Sequence, residues 1–182
     1  VILQMTTYGQ TSDRSILPFS WTEGMQSAAI PTKSMQIDAA ILNEKINHGL
    51  KNNEIGFVED FPVSMSQEGQ WEIVRGGKVC RLRLSAPGAK GMALYFDQFS
   101  LPAGAYFHIY TEDKKQLLGA YTSSNNSLTK KFNAEIINEA VCILEYFEPS
   151  YVIGNEVFNV SQIGYIYKRA YDFGQAGSCQ VN

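Results

Sequence analysis

The chain has 182 residues, 45% of them hydrophobic and 18% charged, and this length is enough for one domain with a core of its own. Its net charge is −3 and its basic residues form no run, which excludes the electrostatic footprint of a nucleic-acid-binding protein. Its apolar stretches stay shorter than the roughly 18 residues of a membrane span, so we expect no membrane insertion.

The first 37 residues are polar and rich in turn signals. Pro18 and Pro31 interrupt them, and apolar residues such as Phe19 and Trp21 stand alone. Proline fixes its own backbone angle and disfavours helix in the residue before it. The sequence therefore predicts an extended arm over residues 1–37 that packs on the rest of the domain.

One short helix is predicted directly after this arm. Asp38 supplies a side-chain oxygen that can cap a helix start, and Ile41, Leu42 and Ile46 form a narrow apolar stripe. Gly49 is the residue type that commonly ends a helix. We expect this helix to cover one end of a sheet.

From Ile55 onward the chain reads as a series of short strands separated by turn signals. Leu82 and Leu84, for example, alternate with Arg81 and Arg83, the period of two that a half-buried strand imposes. The pattern predicts a mainly β fold, an antiparallel β-sandwich of jelly-roll type with one short N-terminal helix.

The predicted core consists of the residues in the apolar phase or at the centre of the strands. They are Leu82, Leu84, Leu94, Phe96, Phe107, Ile109, Ile143 and Leu144. Residues 140–147 are nearly all apolar, which indicates a central strand covered on both faces. The domain is predicted to extend over residues 38–169.

The three cysteines leave two interpretations open. Cys80 and Cys142 fall on two predicted strands, where they form a disulfide in an oxidising compartment or act as two buried thiols. Sequence alone does not supply the geometry that a disulfide requires. Cys179 is left without a partner in either case.

Catalytic and metal-binding patterns are largely missing from the sequence. His48 and His108 are the only histidines, and neither a zinc-binding spacing nor a GxSxG serine frame is present. We therefore predict no metal site, no cofactor and no catalytic activity for this chain. Two of the three residues Asp97, Glu145 and Glu148 would supply the carboxylate pair of a glycosidase, and this is the weakest alternative.

Aromatic residues on the strands suggest a candidate binding face. Tyr106, His108 and Tyr110 share one phase of a strand, and Tyr95 precedes them on another strand. A concave aromatic face of this kind would hold carbohydrate or a protein partner. The alternative is that a second sheet packs on the same side chains.

A set of short motifs in a fixed order also resembles a known family. The motifs are Trp71, RLRL (81–84), APG (86–88), LYFDQF (94–99), LPAGA (101–105), GAYTSSNN (119–126) and EYFEP (145–149). They are similar to the N-terminal pro-region of secreted bacterial trypsin-like serine proteases of the lysyl endopeptidase type. The resemblance implies a non-catalytic pro-domain, secreted or periplasmic, that assists folding, secretion or latency of a protease domain in the same precursor.

The tail extends this resemblance. Residues 170–182 lose the strand alternation, and Gly177, Ser178 and Cys179 are similar to the start of the mature protease in that family, whose cysteine pairs within the protease domain. The resemblance thus implies that Cys179 pairs with the downstream domain. Before this tail, Lys168 and Arg169 form either a connector that a trypsin-like enzyme cleaves or an ordinary strand end with solvated cations. We expect the domain itself to be a monomer.

Overall fold

The computed structural model describes residues 12–25, 30–52, 54–152 and 157–169. The helices in these ranges are α1 (Phe19–Thr22), α2 (Ala39–Lys51) and α3 (Met65–Glu68), and a 3-10 turn covers Ser123–Asn125. The strands are β1 (Thr32–Ser34), β2 (Gly56–Ser64), β3 (Gln70–Val74), β4 (Gly77–Ser85), β5 (Gly91–Ser100), β6 (Tyr106–Tyr110), β7 (Leu117–Tyr121), β8 (Phe132–Asn133), β9 (Val141–Pro149) and β10 (Val157–Ile166). The expectation of a mainly β fold is confirmed.

The strands form two sheets. Sheet A has the order β1-β4-β9-β6-β7, with β3 pairing β4 beside β1, and sheet B has the order β2-β10-β5-β8. The pairs are antiparallel except for the parallel pair of β1 with β4. Apart from β1 and β3, successive strands mostly switch between the sheets, and this order is compatible with the two Greek keys of a jelly roll.

One core of apolar side chains is shared by the two sheets. Seven of the eight predicted core residues belong to it, and they come from β4, β5, β6 and β9. The eighth, Ile143, is also buried but packs in a separate small cluster with Ile30 and Tyr110. All eight predicted core positions are therefore confirmed as buried, although Ile143 points away from the main core.

Helix α2 begins where the sequence predicts. Asp38 Oδ1 accepts hydrogen bonds from the backbone N–H groups of Ala40 at 2.8 Å and Ile41 at 3.3 Å. Leu42 and Ile46 pack against the core, whereas Ile41 is 49% exposed. The helix covers the start of β2, as expected of a helix at one end of a sheet.

The predicted end of this helix is wrong by two residues. Gly49 lies inside α2 and is buried, and a Cβ atom at this position would lie 1.8 Å from the Tyr167 hydroxyl oxygen. The glycine is thus required by the close approach of Tyr167 rather than by a turn. The helix continues to Lys51.

The two strand cysteines are too far apart for a disulfide, which corrects one of the two interpretations of Cys80 and Cys142. Cys142 on β9 lies opposite Leu84, whereas Cys80 lies opposite Tyr146. Four strand residues, or roughly 13 Å, separate their positions, while a disulfide needs Cα atoms within about 7 Å. Both thiols are buried, and Cys80 Sγ donates a hydrogen bond to Met65 O at 3.3 Å.

Residues 13–25, which we call the strap, begin beside the edge strand β7 and then cross the side of sheet A that faces away from the core. At β7, the backbone of Asp13 exchanges hydrogen bonds with Ala120 at 3.0 and 3.1 Å. Further along the strap, Ile16 contacts β6 and Phe19 contacts β9. The strap is therefore a third layer over part of sheet A, and we call the surface beneath it the covered face.

Candidate functional site

Three polar side chains from neighbouring strands form a row across the covered face. Arg81 on β4 lies opposite Glu145 on β9, and Glu145 lies opposite His108 on β6. The row is buried, because Arg81 is 3% exposed and the other two side chains are 0% exposed. Burial of polar groups is unfavourable unless they are hydrogen-bonded, so the partners of this row matter.

The strap supplies several of those partners. Glu145 Oε1 accepts a hydrogen bond from the backbone N–H of Ser20 at 3.0 Å, and Glu145 Oε2 accepts one from the Tyr110 hydroxyl at 2.8 Å. Because the Tyr110 proton is used in this way, the Ser20 hydroxyl donates to the Tyr110 oxygen at 3.0 Å. One carboxylate therefore holds both the strap backbone and a short chain of hydroxyl groups.

Aromatic side chains hold the strap on either side of this polar clamp. The Phe19 ring stacks on Phe147 with centroids 4.9 Å apart and planes 10° apart. Trp21 meets Tyr110 edge-on at 5.1 Å and packs with the Ile30, Tyr110 and Ile143 cluster. The strap thus combines apolar anchors with the hydrogen bonds to Glu145.

Burial controls the charge states in this region. It lowers the pKa of His108 to about 4, although the hydrogen bond to the strap carbonyl of Ile16 at 3.0 Å opposes this shift. A neutral imidazole whose Nε2 donates to that carbonyl carries no proton on Nδ1, and Nδ1 has no hydrogen-bond partner among the described residues. Burial, and secondarily the charge of Glu145, raises the pKa of Tyr106 to about 12 and also raises that of Tyr110.

The geometry of the row favours a structural role. The Ser20 hydroxyl is hydrogen-bonded to the Tyr110 hydroxyl, and the His108 imidazole is hydrogen-bonded to a backbone carbonyl. A serine nucleophile requires a histidine or another base within hydrogen-bond distance, oriented in turn by a third group. These contacts instead place the serine and the histidine in the attachment of the strap.

The outer surface of sheet B, which we call the open face, has a different character. A second row of side chains crosses its four strands through Asp60, Gln162, Tyr95 and Asn133. Gln162 Nε2 donates to Asp60 Oδ1 at 2.9 Å, and of the four only Tyr95 is partly buried. Beside this row lies an open depression of about 550 Å³, lined by side chains that include Asp60, Asp97 and Asn159.

The four residues of the candidate binding face do not share one surface. Tyr106, His108 and Tyr110 lie on the covered face, whereas Tyr95 lies on the open face on the other side of the sandwich. His108 and Tyr110 are 0% and 3% exposed, so they are not available to a ligand while the strap is in place. The strap, rather than a second sheet, covers them.

The carboxylates proposed as a glycosidase pair also lie apart. Asp97 lines the depression on the open face, and Glu145 is buried on the covered face, with the thickness of the sandwich between them. Glu148 accepts a hydrogen bond from the Tyr146 hydroxyl at 2.8 Å and pairs with Lys78 at 3.0 Å. The pairing of Asp97 with Glu145 is therefore wrong, because such pairs lie within about 10 Å of each other.

The residues at the proposed connector are attached to the sandwich. Lys168 N–H donates to Ile55 O at 3.1 Å, and the Arg169 guanidinium donates to two backbone carbonyls, those of Lys90 and Asn138, at 3.2 Å each. Cys179 lies outside the described residues. In the part of the chain that the structure describes, no group of three or more His, Cys, Asp or Glu residues is arranged to hold a metal ion.

Sequence reasoning missed the strap as part of this site. The signal was present in Phe19, Ser20 and Trp21, where two aromatic residues flank a hydroxyl in an otherwise polar arm. It also missed that Arg81, on the polar phase of β4, is buried. Alternation indicates which side chains share a face but does not say which segment covers that face.

Comparisons of the chain with protein families, curated proteins and solved structures give no match. In the described ranges, none of the helices has the length and apolar character needed to cross a membrane.

Proposed function

We propose that this chain is the non-catalytic pro-domain of a secreted serine protease precursor, which acts by surface contact on a protease domain that follows it. The observation that carries the proposal is the position of β10. This strand is paired on both sides, by β2 and β5, and ends at Ile166, so the last strand of the described residues lies inside sheet B, just before the predicted domain boundary at residue 169. The motif of Gly177, Ser178 and Cys179, which resembles the start of a mature protease, follows this boundary and supports the proposal.

Two further observations support a steric role. The titratable groups at the centre of the covered face are used to attach the strap, as the bonds of Glu145 and His108 show. The resemblance of the chain from about residue 56 onward to protease pro-regions points to the partner, a protease domain in the same precursor. A domain that shares a chain with its partner gains a high effective concentration, so even a weak interface suffices for folding assistance or latency.

The test begins with the coding sequence downstream of Asn182. We expect a trypsin-like protease domain there, and the precursor is then expressed in three forms: intact, without residues 1–169, and without residues 1–169 but with the domain supplied as a separate chain. Loss of active or latent enzyme in the second form, with partial recovery in the third, supports the proposal. Identical folding, latency and maturation of all three forms contradicts it.

Peptide mapping of the intact precursor tests the tail independently. We expect Cys179 to be linked to a cysteine beyond Asn182, and the Cys179→Ser variant to lower the yield of folded protease while leaving the sandwich intact. The matched control is Cys142→Ser, in a buried thiol of the sandwich. It is expected to destabilise the domain without altering disulfides of the protease.

The second candidate function is a carbohydrate- or protein-binding module, and the open face favours it. Tyr95 with its neighbours Gln162, Asp60 and Asn133 offers an aromatic ring beside amide and carboxylate groups, the combination that ligand sites use for orientation and contact. Binding in a glycan array that is lost in Tyr95→Ala and retained in Tyr151→Ala supports this candidate. Tyr151 is a suitable control because it is 74% exposed and lies in the turn after β9.

A further inference from the structure

The chain is held at several points where it leaves the sandwich. Ile166 O accepts a hydrogen bond from Lys90 N at 2.7 Å, and the N–H groups of Tyr167 and Lys168 both donate to Ile55 O, at 3.0 and 3.1 Å. The Tyr167 side chain is 7% exposed and packs close to Gly49 of α2. The three residues before Arg169 are therefore part of the folded surface.

Arg169 adds a side-chain attachment to these backbone bonds. Its Nε donates to Lys90 O and its Nη2 to Asn138 O, each at 3.2 Å. These carbonyls belong to two different connections, one between β4 and β5 and the other between β8 and β9. The planar guanidinium fork places two donors in fixed directions, a geometry that the single nitrogen of lysine does not reproduce.

We propose that Arg169 is a latch that withholds the Arg169–Ala170 bond from trypsin-like endopeptidases while the sandwich is folded. Such an enzyme hydrolyses this amide by adding water across it, which leaves a carboxylate on Arg169 and an amine on Ala170. To do so it must take the Arg169 side chain into its own acidic pocket. Cleavage therefore requires that the guanidinium leaves its two carbonyl partners and that the backbone of residues 166–168 leaves its own. Both changes conflict with the contacts described above.

In the proposed precursor, the latch makes cleavage at the processing site depend on the release of Arg169. This biological role rests on the proposed function. Cleavage at such a site proceeds through a locally opened form, and its rate follows the population of that form. The domain would thus remain joined to its partner until the chain end detaches from Lys90 and Asn138. The protection itself is a property of this chain and is measurable without any downstream domain.

The experiment is limited trypsin digestion of the full chain, followed by mass spectrometry of the released tail. The fragment 170–182 reports cleavage after Arg169, and the fragment 169–182 reports cleavage after Lys168. The rates are divided by those of synthetic peptides that carry the same sequence around the bond with Arg or Lys at position 169. This ratio removes the intrinsic preference of trypsin for one basic residue over the other.

We expect cleavage after Arg169 in the folded wild-type chain to be at least about tenfold slower than in the peptide. A factor of this size corresponds to the contribution of about one hydrogen bond to a charged group. The variant Arg169→Lys should lose about tenfold of this protection, because lysine keeps the charge but not the fork. The matched control is Arg75→Lys in the exposed turn between β3 and β4. For the bond after residue 75, the ratio of the cleavage rate in the folded chain to that in the matching peptide should be the same with Arg and with Lys.

Two results would overturn the latch. Wild-type cleavage after Arg169 at the rate of the peptide would show that the bond is not protected. Equal protection of the wild type and Arg169→Lys would show that the backbone bonds of residues 166–168 act without the guanidinium. Either result leaves the proposed function standing, whereas a protected bond in a chain with no protease downstream would retain the latch and reject the proposed function.

Discussion

The two outer faces of the sandwich are organised in opposite ways. Each carries a row of polar side chains across its strands, Arg81–Glu145–His108 on the covered face and Asp60–Gln162–Tyr95–Asn133 on the open face. The first row is buried beneath the strap, while Asp60, Gln162 and Asn133 in the second are exposed. Water remains an alternative hydrogen-bond partner on the open face only, so the same residue types are structural on one face and available for contact on the other.

This difference between the two faces also bears on the two proposed functions, a protease pro-domain and a binding module. A partner that approaches the open face meets side chains that are already accessible. A partner that approaches the covered face must first displace Phe19, Ser20 and Trp21 from Phe147, Glu145 and Tyr110. We therefore expect surface contacts with a protease or another ligand to involve the open face or the loops, and the strap to serve stability.

The largest expected effect on stability comes from removing a carboxylate on the covered face, and the removal of a carboxylate on the open face is the comparison. Glu145→Ala leaves the Ser20 N–H and the Tyr110 hydroxyl without their acceptor, and we expect a loss of about 2–5 kcal/mol in the free energy of unfolding. Asp60→Ala, on the open face, should change it by less than about 0.5 kcal/mol. Urea unfolding measures both, and equal effects would remove the distinction between the faces.

Acidification is expected to act on the covered face through His108. The pKa of this residue is about 4 in the folded chain, below its ordinary value of 6.5, so the unfolded chain binds more protons between these pH values. Stability is then complete above pH 6.5 and falls as the pH decreases towards 4, by about 3 kcal/mol in total.

The urea midpoint followed against pH tests this expectation in matched variants. His108→Gln should reduce this fall, since glutamine still donates to Ile16 O but does not titrate. His48→Gln, on the exposed side of α2, is the matched control for the exchange of a histidine for a glutamine. A pH profile that is the same in His108→Gln and the wild type would contradict the assignment.

The smallest effect is expected from an aromatic residue on each face. Phe19→Ala removes the stacking on Phe147 and should lower the free energy of unfolding by about 1–2 kcal/mol, whereas Tyr95→Ala should lower it by less than about 1 kcal/mol. Hydrogen exchange at the Ser20 amide gives a local measurement. It should accelerate in Phe19→Ala and remain unchanged in Tyr95→Ala, and equal exchange in both would mean that Phe19 does not hold the strap.

Much of the fold follows from local sequence patterns. The alternation around Leu82 and Leu84 and the apolar run that ends at Phe147 predicted strands and core positions that are buried. Asp38 predicted the start of α2. These features depend on the period of two in strands and on the chemistry of helix capping, both of which act over a few residues.

The candidate site depended on contacts between distant parts of the chain. Ser20 and Glu145 are 125 residues apart, and their hydrogen bond exists only because the strap crosses three strands of sheet A. Gly49 is needed inside a helix because Tyr167 packs there. No local pattern encodes these approaches, so the ends of elements and the partners of polar residues were the parts that sequence reasoning missed.

The sequence by itself determined which residues form strands, which side of each strand is apolar and where the helix begins, because these choices are made by neighbouring residues. Only the tertiary structure decided that His108 and Tyr110 are buried while Tyr95 lies on the opposite face, and that Cys80 and Cys142 are four residues out of register. The physical reason is that strand order and register are set by the packing of whole sheets and of the strap, and this packing joins residues far apart in the chain.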